Sequence, residues 1–102
     1  MRKIKDNIDY YYESQYKEKY NELADMLYEM MIDGLTYKEA SIILKNEGLV
    51  LVEYGGESLC YAIYAYEDDE CFGDYGNAEC GVWIDYKPDG KMYVTDVYVV
   101  GF

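Results

Sequence analysis

The apolar periodicity of this chain changes once, near Gly48, and that change limits what can be built on either side of it. Before Gly48 the spacing is helical. On a 100° wheel Tyr16, Tyr20, Leu23, Leu27, Met30 and Met31 fall within an arc of about 100°. Glu18, Glu22, Asp25, Glu29 and Asp33 fall opposite them within about 80°. The spacing predicts a long amphipathic helix from about Asp9 to the Asp33-Gly34 pair, with Lys17 and Lys19 off the carboxylate stripe. Thr36 followed by Glu39 has the pattern of a capping box, and Ala40, Ile43 and Leu44 supply an apolar face. A second helix is therefore expected from about Tyr37 to Glu47, stopping at Gly48.

After Gly48 the chain reads as strands. Leu49 to Tyr54 is a β-rich run, and Gly55-Gly56 has the form of a two-residue hairpin turn. Glu57 to Glu67 then alternates Leu59, Tyr61, Ile63 and Ala65 against Ser58, Cys60, Ala62 and Tyr64. An acidic, glycine-containing loop, Asp68 to Ala78, leads to a third strand at about Cys80 to Tyr86. Lys87-Pro88-Asp89-Gly90 turns the chain into a fourth, Lys91 to Val100. The expectation is a single α+β domain over residues 1–102, in which two N-terminal helices pack on one face of a four-stranded antiparallel β-meander. With 102 residues the chain can build one core.

Charge is as unevenly distributed as periodicity. From Asn46 to Tyr86 there are ten carboxylates and no lysine, arginine or histidine. Residues 1–50 carry a net −3 and residues 51–102 a net −9, giving the chain its −12. Such a field repels phosphate backbones and anionic lipid heads, which argues against direct nucleic-acid or membrane binding and for a basic protein partner. Eighteen per cent aromatic content, with fifteen tyrosines, argues against an acidic disordered chain. Core is the default place for those rings. Both strand parities bear tyrosine, however, so some must face solvent, where tyrosine amid acids suits a protein-binding surface. No apolar run reaches the roughly 18 to 20 residues that span a bilayer. Met1-Arg2-Lys3-Ile4-Lys5 is followed by Asp6-Asn7-Ile8-Asp9 rather than an apolar signal core, so the protein is expected to be unexported and cytoplasmic in a bacterial cell.

The inventory for catalysis is poor. Histidine is absent, which removes Ser-His and Cys-His pairs, and no glycine-rich phosphate loop follows a strand; the chain reads as a non-enzyme without a cofactor. Cys60, Cys71 and Cys80 lack CxxC spacing and read as reduced thiols. A Cys71–Cys80 disulfide, or zinc on three thiolates and a carboxylate, is the alternative. Asp68 to Glu79 comes near a calcium loop, with acids at its first and third places, Gly73 at the sixth and Glu79 at the twelfth. Phe72 stands where a ligand oxygen belongs, and the flanks read as strands, so no metal is assigned and a solvated acidic loop is expected. Tyr37 to Leu44 looks like the first helix of a helix-turn-helix, but Leu49-Val50-Leu51-Val52 follows where the second helix should be.

Carboxylates two apart on a strand lie about 6.6 Å apart, and those four apart on a helix about 6 Å, close to phosphate spacing along a nucleic-acid strand. In composition, length and α+β layout the chain resembles the small, strongly acidic phage proteins that inhibit bacterial CRISPR effectors or restriction enzymes. The resemblance implies an anti-CRISPR type of nuclease inhibitor, a DNA mimic that occupies a basic channel as a monomer or small homo-oligomer; it assigns no individual residue. The densest charge nominates the partner-binding residues Glu67, Asp68, Asp69, Glu70, Asp74 and Glu79 with Tyr75, in a loop expected to serve no fold. Glu22, Asp25, Glu29 and Asp33 on the first helix form a second candidate face. The alternative function is an immunity or antitoxin-like protein neutralising a basic toxin; a general interaction domain without mimicry comes third.

Overall fold

The computed structural model describes residues 16–56, 60–69 and 81–100. Expectations that fall on 1–15, 57–59, 70–80 and 101–102 lie outside the described residues, but the long first helix is shorter than expected: it begins at Lys17, after Tyr16 as a non-helical N-cap, and does not run through from Asp9. Two helices, α1 (Lys17–Ile32) and α2 (Tyr37–Asn46), precede four strands, β1 (Val50–Gly55), β2 (Cys60–Ala65), β3 (Gly81–Tyr86) and β4 (Val94–Val100). The strands form one antiparallel sheet in the order β1-β2-β3-β4. The fold is α+β with its helices N-terminal to the sheet.

Local chemistry sets the helix ends. Thr36 Oγ1 accepts from the Glu39 backbone N–H at 3.2 Å while Glu39 Oε1 accepts from the Thr36 N–H at 3.0 Å, which completes the expected capping box. Donation to Glu39 Oε1 from the Thr36 backbone N–H, and after it from the Thr36 hydroxyl at 3.0 Å, holds the Glu39 carboxyl below the usual carboxylate range. At the other end the Gly48 N–H donates to the Lys45 carbonyl and the Leu49 N–H to the Leu44 carbonyl, a Schellman pair. Gly48 takes the left-handed φ of +99° that this motif needs, and the Leu44 and Leu49 side chains are buried.

α1 buries Tyr20, Leu23, Ala24 and Leu27, and α2 buries Ala40, Ser41 and Leu44. They meet Ala62 and Tyr64 of β2, Val82, Ile84 and Tyr86 of β3, and Val94 and Val97 of β4 in one core, with α1 lying over β4 and β3. Successive strand residues alternate faces, so Tyr61, Ile63, Trp83, Asp85, Asp96 and Tyr98 share the face turned away from the helices. Polar groups inside are satisfied: the Tyr64 hydroxyl bonds the Tyr37 hydroxyl at 2.6 Å and Ser41 Oγ at 2.9 Å. Gly81, at φ +132°, sits where a Cβ would run into the Tyr64 carbonyl oxygen, so no other residue fits there.

Two further expectations need correction. Gly55-Gly56 is not a two-residue hairpin turn: Gly55 is still in β1 and pairs with Tyr61, so the connection to β2 is longer. β1 also carries a bulge between Leu51 and Glu53, which re-aims its alternation. The fourth strand begins at Val94 rather than Lys91, because residues 92–94 bond the inter-helix segment first. The Tyr37 N–H donates to the Met92 carbonyl, the Val94 N–H donates to the Leu35 carbonyl, and Met92 takes a left-handed φ of 55°.

Candidate functional site

The acidic loop and the α1 stripe have different fates. Of the loop residues, Glu67 is exposed, Asp68 is exposed but bonded, and Asp69 is only 3% exposed; Glu70, Asp74, Tyr75 and Glu79 lie outside the described residues, as do Cys71 and Cys80. The Tyr16 hydroxyl donates to the Asp68 carboxylate at 2.9 and 3.0 Å, and the Tyr20 hydroxyl donates to Asp69 Oδ2 at 2.6 Å. Tyr20 also accepts the Tyr66 N–H at 3.0 Å, and the rings of Tyr16, Tyr20 and Tyr66 pack on one another at 4.3 to 6.1 Å. The expectation that these carboxylates serve no fold is therefore wrong for Asp68 and Asp69. They tie the end of β2 to the start of α1, and a buried carboxylate is stable only with such donors. The partner of Asp69 was invisible in the sequence because it stands 49 residues away.

The α1 stripe is intact. Glu22, Asp25, Glu29 and Asp33 are all exposed, with Glu18 continuing the row. The five acids are spaced three or four residues apart and cover about 22 Å of helix length. Lys19 stands off the row and pairs with Glu47 at 3.2 Å, a contact that raises the lysine pKa first through its hydrogen bond and then through the charge of Glu47.

This arrangement costs α1 stability. Like charges at these spacings repel, and Glu29 and Asp33 place negative charge at the helix end where the backbone dipole favours positive charge. No basic residue lies in the last turn to offset it, and the N-terminal residue Tyr16 makes no side-chain cap. Apolar side chains border the stripe: Ile32, 73% exposed, and Tyr28 on one side, Met26 and Met30 on the other. Spacing alone assigned Met30 to the buried stripe and passed over Met26, Tyr28 and Ile32. The only available signal was that these apolar residues fall outside the arc of about 100° that the core can cover.

The sheet face opposite the helices carries further polar and aromatic groups. Tyr61 donates to Glu53 Oε2 at 2.8 Å, and that bond, ahead of desolvation, raises the Tyr61 pKa. Trp83 Nε1 donates to Asp85 Oδ1 at 2.7 Å. Among the described residues no group of three or more His, Cys, Asp or Glu side chains converges on a metal position, and no helix is long and apolar enough to cross a membrane. No protein-family model matches the chain, and neither a curated protein nor a solved structure matches it.

Proposed function

We propose that this protein is an acidic inhibitor that binds a basic nucleic-acid-handling protein, with a CRISPR effector nuclease as the leading target, and that it does so by presenting carboxylates where the target expects phosphates. The observation that carries the reading is the exposed row Glu18, Glu22, Asp25, Glu29 and Asp33. Its members repel one another, and Glu29 and Asp33 also run against the dipole rule for a helix end, with no basic residue in the last turn to offset them. A local rule broken at cost to the fold is the mark of a feature kept for a partner. A Lys/Arg channel derives much of its affinity for nucleic acid from charge neutralisation, and a row of carboxylates about 6 Å apart competes for the same energy. Met26, Met30, Tyr28 and Ile32 give the rims of that row the apolar contact that charge alone does not supply.

The test is a cleavage assay. Guide-loaded effector nucleases are titrated with the protein and with the variant Glu22→Gln/Asp25→Asn/Glu29→Gln/Asp33→Asn, with and without excess non-specific DNA. Inhibition by the native chain, relief by competing DNA and a loss of potency of tenfold or more in the variant are the expected results. Equal potency of the variant removes the stripe from the mechanism. Failure to inhibit any effector, together with protection against a basic toxin, moves the chain to the immunity class.

A further inference from the structure

β4 lies at one edge of the sheet, and two hydrogen bonds fix which way its backbone points. The Val94 N–H donates to the Leu35 carbonyl at 2.8 Å, away from β3, and the Val97 N–H donates to Asp96 Oδ1 at 2.9 Å rather than into the ladder. In an antiparallel strand the N–H and C=O of one residue point to the same side, and the side alternates along the chain. The register shift at Asp85/Tyr86 makes Thr95 an extra residue, so Val94, Val97 and Val99 all turn these groups to the outer edge. At its start that edge is already taken by the chain itself, through the Leu35 bond and an antiparallel bridge between Thr36 and Tyr93. Over residues 96–100 the register with β3 is regular, and no described strand lies beyond it. The opposite edge differs: the bulge between Leu51 and Glu53 interrupts β1 at its middle, and a bulged edge pairs poorly.

A helix flank overhangs the open stretch. α2 sits on the β2 side of the core, where Tyr37 and Ser41 bond the Tyr64 hydroxyl, and α1 lies over β4 and β3. Lys19 pairs with Glu47 at the end of α2, so the flank of α1 that carries Lys19, Met26 and Met30 faces α2. Tyr28 and Ile32 are on the other flank, above the outer edge of β4, and both are exposed. Asp25 on α1 and Asp96 on β4 border the groove so formed, with Lys17 toward its far end.

We propose that this groove receives an extended, basic segment of the partner, which adds to the sheet as a further strand along residues 96–100. The outward N–H and C=O groups of Val97 and Val99 supply the ladder, and Tyr28 and Ile32 cover alternate side chains of the added strand. An incoming backbone carbonyl takes the Val97 N–H in place of Asp96, and the carboxylate so released meets a lysine or arginine on the sheet face away from α1. Charge selects this occupant over a second copy: the chain bears −12, and a symmetric pair would bring two such fields together. The groove takes its basic occupant from the function proposed above, but it works through backbone pairing and is tested apart from the carboxylate row.

Amide hydrogen exchange of the full chain is followed residue by residue by NMR, alone and with a short peptide that alternates valine and lysine. The expected result is exchange slowed by about tenfold or more at Val97 and Val99, with the β1 amides unmoved. The same peptide N-methylated at alternate residues, which cannot complete the ladder, and a valine–glutamate peptide of equal length should give no protection. Val99→Pro deletes an outward N–H without removing a bond to β3 and should abolish the effect at Val97. Tyr28→Ser/Ile32→Ser, at exposed positions, weakens it several-fold and serves if the proline variant does not fold. No protection at Val97 and Val99, equal protection by the N-methylated or the glutamate peptide, or an effect untouched by the variants overturns the groove. Protection that grows with protein concentration in the absence of peptide overturns it in favour of a second copy pairing along β4. Protection by the valine–lysine peptide with no effector inhibited leaves the groove standing and rejects the nuclease, whereas inhibition without such protection does the reverse.

Discussion

Tyr20 joins two parts of the molecule through one oxygen, donating to buried Asp69 and accepting the Tyr66 N–H. Removing that oxygen by Tyr20→Phe keeps the ring in the core and withdraws a donor from a buried carboxylate, a change that costs about 1–3 kcal/mol. Chemical denaturation of Tyr20→Phe and Asp69→Asn should show both less stable than the native chain, with Glu67→Gln, at an exposed neighbour, unchanged within about 0.5 kcal/mol. Equal stability of all three would mean that Asp69 is solvated after all. The residue scale is also where sequence reading succeeded least. Helical spacing placed Tyr20 inward, because burial follows from local period. It was silent on the hydroxyl, because a hydrogen-bond partner 49 residues away leaves no trace in a periodic pattern. The expectation of a solvated Asp68 and Asp69 fails for the same reason: their neighbours in sequence are acids, but Tyr16 at the N-cap of α1 and Tyr20 within it donate to them.

At the scale of elements, more was legible, and the reason is that helix ends and strand alternation are written locally. Thr36, Glu39 and Gly48 marked α2 to within one residue, since each acts on backbone groups three or four positions away. The β1–β2 connection was misjudged because a Gly-Gly pair permits a tight turn without requiring one, and the pairing of Gly55 with Tyr61 is decided by burial along β2. The start of β4 was misjudged because residues 35–37 compete with β3 for the segment 92–94, a long-range choice. The capping box gives a direct expectation: Thr36→Ala should cost about 1 kcal/mol, read as a lower melting temperature, while Thr36→Ser should retain most of the stability. The α1 row predicts the opposite sign. Each like-charge pair at three- or four-residue spacing costs about 0.2–0.5 kcal/mol, so neutralising Glu22, Asp25, Glu29 and Asp33 should leave the melting temperature equal or higher at low salt while weakening partner binding. A melting temperature that falls would show the row to be structural.

Over the whole molecule two sums of small terms become measurable. Burial, the first cause in each case, raises the pKa of Tyr37, Tyr66, Tyr86 and Tyr98 above the ordinary 10.0. A phenol whose folded pKa is raised binds its proton more tightly folded than unfolded. Its contribution is full below about pH 10 and is lost as pH rises through the folded values. The melting temperature should therefore decline above about pH 10, and tyrosinate absorbance should appear in two phases, the second coinciding with unfolding. A single phase at the ordinary phenol pKa would place these rings in solvent.

The net charge of −12 supplies the other sum, and it separates the folded state from the complex. Self-repulsion destabilises the folded chain, so raising salt from about 0.01 M to 0.15 M, which shortens the Debye length from about 30 to 8 Å, should raise the melting temperature. The same screening weakens attraction between the α1 carboxylates and a basic partner, so affinity should fall over the same range. Opposite signs for stability and binding are the signature of charge held for a partner rather than for the fold. A melting temperature that rises with salt beside a binding isotherm that does not move would leave the charge a solubility device and hand the interface to Ile32, Tyr28 and the methionines beside the stripe.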